Sequence, residues 1–326
     1  MFPEVRLRRL RQNASIRRML DQPLPGPEKF MWPTFVIEGD GKREEIESMP
    51  GQFRLSVDEL LRDLEPLVET GIGSVLLFGL AEDNQKDGAG TYAYHENGAV
   101  QKAITAVKKE FPDLVVAADA CVCAYTDHGH CGPLTDSGDV DNDAAIENLA
   151  KICVSHAAAG ADIVAPSAMM DGQILAIREG LEDNGFINTI LMSYSTKFAS
   201  AMYGPFRDAE KSKPGKGDRK GYQASYGDLR TALRESEFDE AEGADMLMIK
   251  PSLFYLDILA EMRANTDLPL AAYNVSGEYS MLHATAQRGW GDLKGMVQES
   301  TQALVRAGAD ILISYWANQY NELFRD

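Results

Sequence analysis

The stretch LRTALRESEFDEAEGADMLMIKPS, residues 229–252, decides the fold. Leu229, Ala232 and Leu233 follow the i, i+3, i+4 pattern of a helix with one apolar stripe. Gly243 then stops the helix, since glycine adopts the left-handed cap conformation without steric cost. The next residues, ADMLMIKPS at 244–252, are apolar without alternation, as expected of a parallel strand buried on both faces. The run ends on Lys250, where the chain leaves the hydrophobic interior.

The same unit recurs along the chain. Apolar runs of strand length fall at 30–39, 73–80, 114–123, 161–169, 189–199, 268–277 and 309–317, and with 244–252 they make eight. Stretches of helical spacing lie between them, such as VDELLRDLEPLVETG and LKGMVQESTQALVRAG. Gly-Ala-Asp links a helix end to a strand start at 160–162, 243–245 and 308–310. Its spacing is unequal, so it marks a repeated βα unit and not a solenoid period. Eight such units predict a (β/α)8 TIM barrel over residues 30–326, preceded by an extended N-terminal arm over 1–29 that makes subunit contacts. A doubly wound open sheet is the alternative. It is weakened by the lack of Gly-x-Gly-x-x-Gly after the first strand and of a phosphate-loop motif.

Composition narrows the function classes. With 326 residues, 44% of them hydrophobic, the chain can bury a large core. It has no run of about 20 apolar residues, so no membrane span is expected. The basic N-terminus lacks the apolar core of a secretory signal, and a cytoplasmic location is expected. The first 18 residues carry six arginines against one glutamate, whereas the whole chain has a formal net charge of −18. So acidic a body repels nucleic acid and anionic membranes, and neither is expected as a partner. The basic arm is expected to lie on the acidic surface of a neighbouring subunit.

Barrel enzymes collect their chemistry at the C-terminal ends of the strands. That rule selects Cys121, Cys123, Ser167, Lys197, Lys250, Ser276 and Tyr315. A lysine ending a buried strand is poorly hydrated, which disfavours its ammonium form and frees the amine to attack a carbonyl carbon. The competing reading is a lysine that snorkels to the surface. Lys197 and Lys250 end consecutive strands, so each also depresses the other's pKa, and we read them as a pair of Schiff-base candidates. The polar segment 204–227, rich in Gly, Lys and Asp, reads as an active-site lid.

Three of the four cysteines, Cys121, Cys123 and Cys131, fall within eleven residues, whereas Cys153 lies in a helical pattern as a small core residue. Three thiolates at this spacing can bind zinc and leave a fourth position open for catalysis. His128 or His130 could instead close the site as a structural Cys3His centre, or the cluster could be metal-free.

Read together, these motifs resemble a known family. Cys-x-Cys-x7-Cys with HGHCG (128–132), STKFAS (195–200), YGPFRDA (203–209), MIKP (248–251) and VSGEY (275–279) occur in order. They resemble porphobilinogen synthase, also called δ-aminolevulinic acid dehydratase, over nearly the whole chain. The resemblance implies a hydro-lyase of tetrapyrrole synthesis that condenses two molecules of 5-aminolevulinate to porphobilinogen with loss of two waters. Lys250 would form a Schiff base with the first substrate and Lys197 with the second. Arg207 and Arg219 would clamp the second carboxylate, Ser276 and Tyr315 the first, and Gln223 would close over the site. It also implies catalytic zinc on Cys121, Cys123 and Cys131, allosteric magnesium at Glu235, and a homo-octamer whose arm wraps a neighbour. A single-lysine aldolase and a zinc-stabilised binding protein are the competing readings. Each leaves part of this set unused.

Overall fold

The computed structural model describes residues 3–215 and 217–325. Its strands are β1 (Phe30–Val36), β2 (Arg43–Glu45), β3 (Phe53–Leu55), β4 (Ser74–Gly79), β5 (Val115–Ala120), β6 (Ile163–Pro166), β7 (Ile190–Lys197), β8 (Met246–Lys250), β9 (Leu270–Asn274) and β10 (Ile311–Ser314). β1 and β4 to β10 pair in parallel in chain order, and β10 returns to β1 through Phe30–Leu312 and Met31–Ile313. The sheet is therefore closed, and the barrel read from the sequence is the fold. β2 and β3 form an antiparallel hairpin, with β3 alongside the end of β1, that the apolar runs did not reveal. β2 is polar and exposed and β3 buries only Leu55 fully, so neither three-residue strand carries a strand-length hydrophobic signal.

The helices are α1 (Ala14–Leu20), α2 (Val57–Thr70), α3 (Ala99–Glu110), α4 (Asn142–Ala159), α5 (Gln173–Asp183), α6 (Gly204–Glu210), α7 (Leu229–Ala241), α8 (Leu256–Asn265), α9 (Ser276–Gln287), α10 (Leu293–Ala307) and α11 (Tyr320–Phe324). The segment read as an irregular lid thus begins with a short helix, α6. The VSGEY motif opens another, α9.

Each Gly-Ala-Asp repeat is a staple at the bottom of the barrel. Its glycine ends or follows a helix at positive φ: 105° at Gly160, 102° at Gly243 and 118° at Gly308. Its aspartate accepts from the first strand amides next door: Asp162 from Val116 N (2.8 Å), Asp245 from Leu191 N (2.8 Å) and Asp310 from Leu270 N (2.9 Å). Each carboxylate also meets a basic side chain from the helix before that neighbouring strand: Lys108, Arg178 and Arg263 respectively. These ion pairs are half-open to solvent and contribute little energy, so the backbone amides explain the repeat better than the charges do.

The residues before β1 pack little on the barrel. From residue 3 to 24 all side chains are exposed except a half-buried Ile16. Val5, Leu7, Leu10, Met19 and Leu20 are among the exposed apolar side chains. Contact begins near Pro25, whose carbonyl accepts from Tyr320 OH at 3.0 Å. Among the described residues no helix is long and apolar enough to cross a membrane.

Candidate active site at the C-terminal mouth of the barrel

The last residues of β7 and β8 are Lys197 and Lys250, and they are register partners. Both are buried, 5% and 3% exposed. Their shared orientation depends on a bulge in β7. Ser193 pairs with Leu247 and Thr196 with Ile249, so β7 spends one extra residue between the two pairs. Ser193, Ser195 and Thr196 all reach outward, to Asp239, Ser236 and Met262 on the surrounding helices. Tyr194 and Lys197 turn inward. Strict alternation would have put Lys197 on the outer face.

Lys250 Nζ sits in an aromatic cage. The ring centroids of Tyr273 (4.1 Å), Phe206 (4.6 Å), Tyr194 (5.1 Å), Phe78 (5.6 Å) and Tyr203 (5.7 Å) surround it. Burial among these rings, with the charge of Lys197 beside it, pushes its pKa down to about 7. A substantial share of the amine is therefore neutral near pH 7. Lys197 Nζ donates to the carbonyl of Ser167, and Ser167 Oγ donates to Asp119 Oδ2 at 3.1 Å. Asp119 Oδ1 is buried without a partner. Burial raises this carboxyl to about 6, against the pull of Lys197. The sequence reading passed over Asp119, although its place at the end of β5, two residues before Cys121, was a usable signal.

The chain beyond β5 carries the cysteines. Cys121, Cys123 and Cys131 are all buried, and their sulfurs lie within 4.8 Å of one another. Among the described residues this donor group contains neither His128 nor His130. His128 Nε2 instead meets Gly88 O at 3.1 Å, and His130 Nδ1 meets Tyr222 OH at 3.2 Å. The Cys131 thiol is held well below its usual pKa, chiefly by hydrogen bonds from Cys121 and Cys123. A compact, buried set of soft sulfur donors fits zinc. Cys153 is buried and lies outside this group.

The 204–227 segment packs on this loop. Arg219 is 5% exposed and donates to Gly129 O (3.0 Å) and Ser212 O (2.8 Å). Gly129 has φ +73°, and a Cβ there would stand 2.8 Å from Lys213 O, so only glycine lets the two backbones meet. Arg207, on α6, is lowered in pKa by burial and by the neighbouring Arg219. The Nε atoms of both arginines are buried without partners, as are both polar atoms of the Gln223 amide. Two guanidiniums with unspent donors have the chemistry to receive a carboxylate. Ser276 and Tyr315 are buried across the mouth. Ser276 Oγ accepts from Phe206 N at 2.9 Å, and Tyr315 OH meets Tyr273 OH at 3.1 Å. Tyr315 lies just past β10, not within it.

Among the described residues Glu235 makes no hydrogen bond or ion pair with either amine. It lines a cavity of about 870 Å³ with His128, His130, Asp171, Tyr222 and Gln223. Neither lysine lines that cavity. Burial and the charges of Asp171 and Glu242 raise the Glu235 pKa.

A closed (β/α)8 barrel with two buried amines and a thiol cluster at its C-terminal mouth is the architecture of an enzyme. A family model described as delta-aminolevulinic acid dehydratase matches residues 4–323. The delta-aminolevulinic acid dehydratase of Bacillus subtilis is 50% identical over 312 residues, covering 96% of this chain and 95% of that one. The enzyme of the same name from Synechococcus elongatus is 49% identical over 320 residues, covering 97% and 98%. A crystal structure of the Toxoplasma gondii enzyme in complex with the reaction product porphobilinogen superposes with a TM-score of 0.96 at 41% identity, covering 98% of this chain and 91% of that one. The chain belongs to the delta-aminolevulinic acid dehydratase family, hydro-lyases that condense two aminolevulinate molecules to porphobilinogen in tetrapyrrole synthesis.

Proposed function

We propose that this chain condenses two molecules of 5-aminolevulinate through Schiff bases on both Lys250 and Lys197. The observation that carries the reading is the register pairing of these two buried lysines. Each amine adds to one ketone and expels one water, which accounts for the two waters lost overall. Carbon–carbon bond formation joins the two bound substrates. The free amine of one substrate then displaces one lysine from its imine carbon, and elimination releases the other. Both amines are regenerated and the proton count closes. Asp119, which Ser167 links to Lys197, would take and return protons with its buried carboxyl.

Arg207 and Arg219 would hold the carboxylate of the Lys197-bound substrate, and Ser276 with Tyr315 that of the Lys250-bound substrate. Cys121, Cys123 and Cys131 would hold zinc, which as a Lewis acid polarises a carbonyl oxygen and acidifies bound water. The exposed arm, residues 1–29, would assemble the chain into a homo-octamer, and Glu235 would bind an allosteric magnesium. The enzyme would act in the cytoplasm.

The test is incubation with 5-aminolevulinate, following pyrrole formation with and without a zinc chelator. Borohydride added during turnover should attach substrate mass at Lys250 and Lys197. Trapping confined to another lysine would overturn the assignment.

A further inference from the structure

The β2–β3 hairpin joins two sides of the barrel mouth. Its turn is tied to the side that carries Ser276 and Tyr315. Tyr279 OH donates to Pro50 O at 2.5 Å, Ser280 Oγ to Ser48 O at 2.6 Å, and Gln52 Nε2 to Tyr315 O at 3.3 Å. β3 is also fixed to the barrel wall, with Arg54 opposite Phe35 and Leu55 opposite Val36 on β1. From this strand the Arg54 side chain, 13% exposed, reaches α6. One edge of its guanidinium donates to two carbonyls, Nε to Ala209 O at 2.5 Å and Nη2 to Asp208 O at 2.8 Å.

α6 needs such a partner. A helix leaves its last carbonyls without intrahelical donors, and at seven residues α6 is too short to be stable alone. The chain beyond it bonds Arg207 O, through Lys211 N and Ser212 N, and Arg54 takes the next two carbonyls. A cation is also the charge that a helix C-terminus favours. The same helix carries Arg207 and Phe206, whose ring stands 4.6 Å from Lys250 Nζ. Phe206 N is held by Ser276 Oγ at 2.9 Å. Among the described residues no hydrogen bond or ion pair holds the Arg207 guanidinium, and its Nε is buried. Its aim therefore depends on the backbone of α6, which Ser276 fixes near one end and Arg54 at the other.

We propose that Arg54 is a positioning residue for the Lys197-bound substrate: it sets α6 so that Arg207 meets that substrate's carboxylate. The proposal rests on the reading of Arg207 as a carboxylate clamp. The planar fork is the part that matters. A lysine ammonium carries the same charge, but as a point it cannot donate to two carbonyls along one rigid edge. The competing role is a helix cap that only adds stability, and its loss would loosen both substrate sites alike.

The experiment uses full-length protein carrying Arg54→Lys or Arg54→Met, each alone and combined with Arg207→Met. It reads the 5-aminolevulinate concentration that half-saturates borohydride trapping, at Lys197 and at Lys250 separately, by peptide mass. Both Arg54 variants should raise that concentration at least about tenfold at Lys197 and less than about threefold at Lys250. In the Arg207→Met background they should add less than about threefold, because their effect runs through a side chain already removed. Arg54→Lys keeps the charge and the long stem, so it tests the fork even if Arg54→Met folds poorly. If both lysines shift alike, or if the effects multiply in the double variants, Arg54 only stabilises the fold and the proposal is overturned. If Arg207→Met shifts Lys197 trapping and neither Arg54 variant does, the proposal is overturned while the clamp reading stands. If Arg207→Met leaves Lys197 trapping unmoved, the clamp reading fails and the proposal falls with it.

Discussion

Lys197 and Lys250 stand opposite each other at the ends of β7 and β8, and the β7 bulge is what turns Lys197 inward to face its partner. The two amines therefore share one water-poor space without either reaching the surface.

Lys250→Ala should lower turnover by at least about a thousandfold, because no neighbouring group can supply the lost covalent bond. Lys197→Ala should fall nearly as far. Lys250 should remain trappable by borohydride in Lys197→Ala, since its cage is built from other side chains. A Lys250→Ala enzyme with most of its activity intact would refute covalent catalysis at that position.

The amine must be neutral to attack. Burial brings the Lys250 pKa down to about 7, and the charge of Lys197 adds to the shift. The neutral fraction thus rises as pH increases through 7, and the rate of trapping at Lys250 should rise with an acid limb centred there. In Lys197→Met one opposing charge is gone, so the limb should move to higher pH. A limb that stays in place would show that the two lysines do not interact.

Much of this was legible in the chain, and the reasons for the rest are physical. Apolar runs, helix-stopping glycines and the Gly-Ala-Asp repeat specify strand order, because each is a local signal with a fixed structural meaning. Lys197 and Lys250 were legible because each ends such a run. The bulge was not: nothing in ILMSYSTK marks where alternation breaks, and only pairing with β8 sets it. The cage around Lys250 draws on β4, β7, β9 and α6, so no window of sequence contains it. The burial of Glu210, 4% exposed at the end of α6, was hidden for a different reason. In a Lys- and Asp-rich segment an acidic residue reads as solvated, and only the fold of α6 against the cysteine loop buries it.

Asp239 gives a stability test away from the chemistry. It hydrogen-bonds Ser193 Oγ across the α7–β7 contact, and burial raises its pKa to about 7. An unfolded aspartate titrates near 3.9. Between about pH 4 and 7 the folded chain therefore holds a proton that the unfolded chain has lost, and this site makes stability fall as pH rises. Asp239→Asn carries no such proton. Its melting temperature should match wild type near pH 4 and exceed it by a few degrees at pH 8, measured without magnesium. An equal difference at both values would exclude the buried carboxyl as the cause.

Metal removal tests the cysteine cluster. A strong zinc chelator should abolish activity, and added zinc should restore it. Cys121→Ala, Cys123→Ala and Cys131→Ala should each behave like the chelated enzyme, since two thiolates cannot hold the ion in the same geometry. Cys153→Ala should retain activity, because that residue lies outside the donor group. Full activity in metal-free protein would rule out a catalytic zinc.

The arm and Glu235 bear on assembly. Side chains from residue 3 to 24 are almost all exposed, and they include Val5, Leu7, Leu10, Met19 and Leu20. Apolar groups on a strongly basic segment gain order when a partner covers the first and neutralises the second. The rest of the chain is acidic enough to be that partner. Deleting residues 1–25 should therefore convert a large assembly into smaller, less active species, with the barrel's circular dichroism unchanged. Light scattering decides the point, and an unaltered mass would refute the arm's role. Glu235 lies on α7 and lines a cavity that neither lysine lines. Glu235→Ala should blunt activation by magnesium while both lysines remain trappable, whereas an identical magnesium response in wild type and variant would remove Glu235 from any regulatory site.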